Sequence, residues 1–235
     1  MKIWAYGDSF TAGDQDGPVG GSDLKELRKN RYEISWAAQL SQILKCELTN
    51  RAVPGSSNFP QIDNLISDLP NIQQDDLVFF GITSSLRERA YLPIRVSKFY
   101  NNLIKKERYS LGGQWLVETS KLNDTKHLET TDFLFTVAML EKLEQIHNIR
   151  IIKFNAFAEM QCPSAKHFIG NNVPGNTLLH LVTDNWGIAG IDLFNAHNYP
   201  ETVKINSKLL TKKYHPNYQG HTKIAEWINE YISNN

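Results

Sequence analysis

The chain has 235 residues, enough for one large domain with a substantial core or at most two small ones. Apolar residues make up 41% and charged residues 21%, which excludes a disordered chain, and 25 basic against 25 acidic residues leave no general field to attract nucleic acid. No apolar stretch approaches the roughly 20 residues that span a bilayer, and the apolar run before Gly7-Asp8 is too short for a signal peptide, so no membrane partner is expected and the protein is expected to be soluble, cytoplasmic or phage-associated.

Lys2 to Tyr6 is a short apolar, aromatic run ended by Gly7, which reads as a buried first strand followed by a sharp turn. Residues 13 to 31 are rich in Gly and charge and read as a loop with room for a short helix. From Ser35 to Leu44, Trp36, Leu40, Ile43 and Leu44 recur at helical spacing, giving one face to pack on a sheet. Cys46 to Asn50 follows as a second strand and runs into the turn-rich segment Arg51 to Asn58. A second helix starts near Asn58 or Pro60 and carries Ile62, Leu65, Ile66 and Leu69. Leu77 to Gly81 is apolar on both faces, as a central parallel strand is.

Ile82 to Arg89 reads as the next turn, and residues 90 to 128 as an insert or lid, with a helix near 94 to 106 and a loop around Gly112-Gly113. Thr130 or Thr131 is placed to cap a helix over Asp132 to His147, with Phe133, Val137, Leu140, Leu143 and Ile146 on one stripe. Arg150 to Ala156 is a fourth strand, and Gly190 to Phe194 a short edge strand. The chain closes with an amphipathic helix over Asn217 to Ile232. Alternating strands and helices predict an α/β fold with a mostly parallel sheet of about five strands, in one domain because no linker divides the chain. The only cysteines, Cys46 and Cys162, belong to no C-x-x-C pair and read as buried free thiols. No metal-binding or Walker pattern occurs, so neither cofactor nor metal is expected.

Four short patterns fall where strands end and where the last helix begins: Gly7-Asp8-Ser9-Phe10, Asn50 to Gly55, Gly81-Ile82-Thr83-Ser84, and His215-Pro216-Asn217 through His221. Turns after parallel strands of one sheet lie along one edge, so these patterns converge. Acyl transfer needs a nucleophile, a base within reach, and donors aimed at the developing oxyanion. Ser9 is the candidate nucleophile and His215 the candidate base. The backbone N–H groups of Ser9 and Gly55 are candidate oxyanion donors, with the Thr83 hydroxyl a third.

These blocks resemble those of the GDSL, or SGNH, hydrolases. In that family the first-block Ser is the nucleophile and its N–H an oxyanion donor, so the resemblance gives both roles to Ser9, with Phe10 standing where Leu is usual. Gly55 matches the second-block Gly. The third block is Gly-x-Asn-Asp with an Arg shortly after; this chain keeps Gly81 and Arg87 but has Thr83 for Asn and Ser84 for Asp. Of the final Asp-x-x-His-Pro, His215 and Pro216 are present and Lys212 takes the Asp position. The His would then be oriented by a backbone carbonyl or by another carboxylate such as Asp192. The resemblance implies a three-layer α/β/α, flavodoxin-like domain and a serine esterase or deacylase acting on a carboxylic ester, an O-acetyl group on a glycan among the candidates.

The same site could pass the acyl group to a sugar hydroxyl, making an O-acyltransferase. The departures at Thr83 and Lys212 also fit a non-catalytic descendant that binds a glycan or a protein. A loop at Ser9 to Gly13 that cradles a phosphate, as in flavodoxin-like proteins, leaves His215 without a role. Arg87 is a candidate for an anionic group on the substrate. Asp8, adjacent to Ser9 in a tight turn, reads as a structural hydrogen-bonding residue, and His221 as a packing residue inside the last helix.

Overall fold

Strand β1 (Lys2–Tyr6) is buried from Ile3 onward and is one of the two central strands of the sheet that the described residues form, four strands in the order β2-β1-β3-β4. Its neighbours are β2 (Glu47–Asn50) and β3 (Leu77–Ile82), and β4 (Arg150–Asn155) pairs with the far side of β3. Every pairing is parallel, with Trp4 opposite Thr49 on one side and Val78 on the other. The computed structural model describes residues 1–13, 33–83, 125–156, 160, 162–170, 177–183, 208–211 and 215–235.

Alternation along the strands sends side chains to two layers. Ile3, Ala5, Phe79, Ile152 and Phe154 pack against α2 (Trp36–Leu44), α5 (Leu178–Thr183) and α6 (Tyr218–Asn234). Trp4, Tyr6, Val78, Phe80 and Ile151 face α3 (Asn58–Asp68) and α4 (Thr125–His147). The result is an α/β fold in which helices cover both faces of a parallel sheet, as the alternation of elements predicts. At the amino ends of the strands Asp76 accepts hydrogen bonds from Lys2 N at 2.7 Å and Trp4 Nε1 at 3.0 Å. Nearer the carboxyl ends, Asp68 takes a bidentate pair from Arg51, each bond 2.8 Å, and the Tyr6 hydroxyl at 3.1 Å. Burial, and then the Asp68 charge, raise the Tyr6 phenol above its ordinary value.

Several expectations need correcting. Helix α4 starts at Thr125, upstream of the expected Thr130 or Thr131 cap and inside the expected 90–128 insert. Its buried stripe runs Phe133, Val137 and Leu140, with Leu143 packed on the core and Glu144 partly buried beyond it, while Ile146 is 61% exposed. At about 100° per residue Ile146 points away from Leu140, whereas Glu144 stays in line. The sheet explains the carboxylate there: Lys153 of β4 is fully buried, and its ammonium meets Glu144 at 2.6 Å and Glu141 at 2.9 Å. Ile66 is likewise 43% exposed, on the outer side of α3. Cys46 and Cys162 are free thiols but only half-buried. The expected edge strand at 190–194, the helix at 94–106 and the Gly112-Gly113 loop lie outside the described residues. On the side of β4 away from β3, Phe168 and Thr177 make isolated parallel bridges to Lys153 and Asn155. No helix among the described residues is long and apolar enough to cross a membrane.

Candidate active site

The chain leaves β1 for β2 on one side and later builds β3 and β4 on the other. The strand order therefore reverses between β1 and β3, and open α/β sheets bind ligands in the crevice at that point. Gly7 and Thr83 are the first residues beyond the carboxyl ends of these two strands.

Gly7 takes φ 152°, and a Cβ there would lie 2.5 Å from Thr11 Oγ1. A Cβ on Gly81 would meet the same oxygen at 2.8 Å and the Phe154 ring at 2.9 Å. The Thr11 side chain thus fills the space that side chains at both positions would need, so the two glycines are a packing requirement of the turn. Gly7→Ala is expected to destabilise the fold by about 1–3 kcal/mol through overpacking and backbone strain, measured by urea unfolding. A loss below about 0.5 kcal/mol would contradict the packing argument.

After Gly7, Asp8 caps the one-turn helix α1 (Ser9–Ala12), its Oδ1 accepting from Phe10 N at 3.0 Å. Ser9 is the first residue of that helix and is 4% exposed. Asp8 is fully buried, and its Oδ2 accepts a hydrogen bond from the Thr83 hydroxyl at 2.8 Å. Asp8 therefore has the structural role expected of it. A threonine hydroxyl has one proton, and here Thr83 gives it to Asp8. In this arrangement the hydroxyl is not aimed at an oxyanion, and Ser9 N and Gly55 N are the remaining candidate donors.

The turn after β2 is tied to the turn after β1. Val53 N donates to Gly7 O at 3.0 Å, and Asn50 Nδ2 to Thr11 O at 3.0 Å. Gly55 is exposed and left-handed at φ 74°, a conformation glycine adopts without steric cost, and Ser56 N closes the turn onto Val53 O at 3.0 Å. Two buried amides then enter from the first turn of α3. Asn58 accepts from Thr83 N at 2.9 Å and donates to Thr83 O at 3.2 Å. Gln61 accepts from Gly7 N at 3.1 Å and donates to Ser56 Oγ at 3.0 Å. Sequence reasoning used Asn58 only as a helix start and passed over Gln61. The available signal was an Asn and a Gln at helical spacing on the same stripe as Ile62 and Leu65.

His215 comes from the other end of the chain. Leu210 and Pro216 form an antiparallel bridge, Thr211 N donates to His215 O at 2.8 Å, and Asn217 N to Leu209 O at 2.8 Å. Asn217 caps α6, its side chain accepting from Gly220 N at 3.0 Å. Gly220 has no room for a side chain, since a Cβ would sit 2.4 Å from Leu209 O. The imidazole of His215 lies against the ring of Phe10, centroids 6.2 Å apart, so the base candidate contacts the residue next to Ser9. His221, one turn further on, is fully buried, and its Nδ1 accepts from Trp36 N at 3.2 Å. The ring proton must then lie on Nε2. Burial, and secondarily the charge of His215, push the His221 pKa down to about 3, so this imidazole is neutral.

Arg87, Lys212 and Asp192 lie outside the described residues. Among those described, no cluster of three or more His, Cys, Asp or Glu side chains is arranged to hold a metal ion. A cavity of about 610 Å³ opens elsewhere, between α4 and the segment at Lys166-His167, and contains none of the candidate site residues.

No family model matches the chain, and no curated protein matches it. Among solved structures, it is similar to a member of the lipolytic protein G-D-S-L family from Veillonella parvula, at 17% identity and TM-score 0.38, covering 99% of this chain and 98% of that one. A psychrotrophic esterase from Pseudoalteromonas sp. matches at 12% identity and TM-score 0.46, over 99% and 97% of the two chains. An acetyl xylan esterase matches at 15% identity and TM-score 0.43, over 99% and 100%. At these values the likenesses fix neither activity nor substrate.

Proposed function

We propose that this protein is a serine-type ester hydrolase that works through Ser9 and His215. The observation that carries the proposal is the meeting of the two chain ends at the sheet's switch point, where Phe10, the neighbour of Ser9, packs on the His215 ring. The reading draws its residue types from the resemblance to the GDSL/SGNH hydrolases and its donors from the turns.

Ser9 Oγ attacks the acyl carbon of a carboxylic ester while His215 takes its proton. The carbonyl oxygen becomes an oxyanion held by the backbone N–H groups of Ser9 and Gly55. Collapse breaks the ester C–O bond, and His215 returns the proton to the leaving alcohol. Water then attacks the acyl-enzyme with His215 as base, releasing the acid and restoring Ser9. With the Thr83 hydroxyl engaged by Asp8, the oxyanion has one donor fewer than in the family pattern, a difference typically worth about 100- to 1,000-fold in rate. The proposal is therefore of a slow enzyme acting on a carboxylic ester, an O-acetyl group on a glycan among the candidates.

Incubation with a fluorophosphonate followed by peptide mass spectrometry is expected to place one adduct on Ser9. Absence of the adduct together with no turnover of short aryl esters would sink the proposal. It would leave the binding of a glycan or protein as the surviving reading, the one that the Thr83 and Lys212 departures favour.

A further inference from the structure

We infer that Asn58 and Gln61 are positioning residues, a pair of buried amides that hold the turn carrying Gly55 in register with the turns carrying Ser9 and Thr83. The inference rests on the ester-hydrolase reading for its consequence, but the geometry stands apart from it. Both residues lie in the first turn of α3, three apart, and so share one face of the helix. They are 1% and 2% exposed, on the stripe that Ile62 and Leu65 continue with apolar side chains.

Each amide is used on both its oxygen and its nitrogen. Asn58 pairs with the N–H and the C=O of Thr83, as a peptide group would in a ladder. Gln61 accepts from Gly7 N and donates to Ser56 Oγ, whose own hydroxyl donates to Ser57 O at 3.1 Å. An aliphatic residue in this stripe would bury without needing partners, whereas a buried amide contributes only if its bonds are made. What the amides add is therefore register. Ser56 follows Gly55 directly, so the bond through Gln61 ties the position of one candidate oxyanion donor to Gly7, two residues before the other. Asn58 fixes the β3 turn, and the Thr83 hydroxyl passes that constraint to Asp8, next to Ser9. A displacement of about 1 Å between such groups costs on the order of 100-fold in rate.

The test compares Asn58→Leu, Gln61→Leu, Gln61→Glu and the milder Ser56→Ala with wild type in the full-length chain. Steady-state kinetics on a short aryl ester are read beside amide hydrogen exchange at Gly7 and Thr83. Both Leu variants are expected to lower kcat by about 10- to 100-fold with KM within about 2-fold of wild type. Gln61→Glu keeps the acceptor for Gly7 N, and its second carboxylate oxygen can accept from the Ser56 hydroxyl where the amide donated to it, so the tie is kept with its direction reversed and most of the rate is expected to be recovered. Exchange is expected to accelerate at Gly7 in Gln61→Leu and at Thr83 in Asn58→Leu. Folded variants whose kcat stays within about 2-fold of wild type would overturn the inference, as would unchanged protection of both amides. If a Leu variant does not fold, Gln61→Glu and Ser56→Ala decide, Ser56→Ala being expected to lose rate while Gln61→Glu keeps it. A wild type with no turnover and no Ser9 adduct would refute the hydrolase reading instead, and amide exchange alone would then judge the clamp.

Discussion

Ser9→Ala is expected to lower kcat/KM on short aryl esters by about 10⁴-fold or more while leaving the fold intact. Ala is the strongest helix former and the change removes a single hydroxyl, so the one-turn helix α1 keeps its Asp8 cap and its packing. His215→Gln is expected to lose a comparable factor. The informative variant is the double one. If Ser9 and His215 act as one unit, removing both costs little more than removing either, because the second group has nothing left to act on. Rates of the two single variants and the double variant, measured with the same ester at saturating and subsaturating concentrations, give the comparison. Multiplying losses would mean that the two residues work independently, and the acyl-enzyme mechanism would fail. Retention of more than about a tenth of the activity in Ser9→Ala would remove Ser9 as the nucleophile.

The fold was legible wherever local pattern and tertiary demand coincide. The strands β1, β3 and β4 are short, mainly apolar runs ended by turn residues, β2 is a mixed run marked by the turn-rich segment after it, and α2, α3 and α6 show a stripe at helical spacing, so local sequence was enough to find them. The start of α4 was not legible because Thr125 to Thr131 is polar and shows no such stripe. Nor was the course of its buried face: Ile146 looks like the natural continuation until Lys153, on the strand β4 that packs against this helix, draws in Glu144. A buried ion pair is a nonlocal fact, and neither partner announces it in its own segment.

The candidate site divides in the same way. Ser9, Gly55, Thr83 and His215 each stand at a strand end or helix start that the sequence marks with turn residues, so their positions could be read locally. The use made of each side chain could not. From sequence the Thr83 hydroxyl reads as a donor to an oxyanion, and only the buried Asp8 carboxylate 2.8 Å away shows where that proton goes. Asn58 and Gln61 looked like ordinary helix residues because their partners, Thr83, Gly7 and Ser56, belong to three different turns.

The fold is also expected to become acid-sensitive through His221, and the sign follows from its burial. The folded chain holds this imidazole neutral, with a pKa pushed down to about 3, whereas the unfolded chain takes up a proton near the ordinary value of 6.5. Above that ordinary value neither state is protonated and the residue adds no pH dependence. Below it the unfolded chain binds one proton more than the folded chain, so unfolding becomes easier as pH falls, until the folded imidazole itself titrates. The loss is about 2 kcal/mol by about pH 5 and approaches about 4 kcal/mol by about pH 3.5. His221→Asn keeps an acceptor near the Nδ1 position for Trp36 N and has no ionisation in this range. Urea unfolding of the two proteins at pH 7 and pH 5 is expected to show a drop in wild type that is smaller by about 2 kcal/mol in the variant, whatever its stability at pH 7. Equal drops would mean that His221 is protonated in the fold, which burial and then the charge of His215 both oppose.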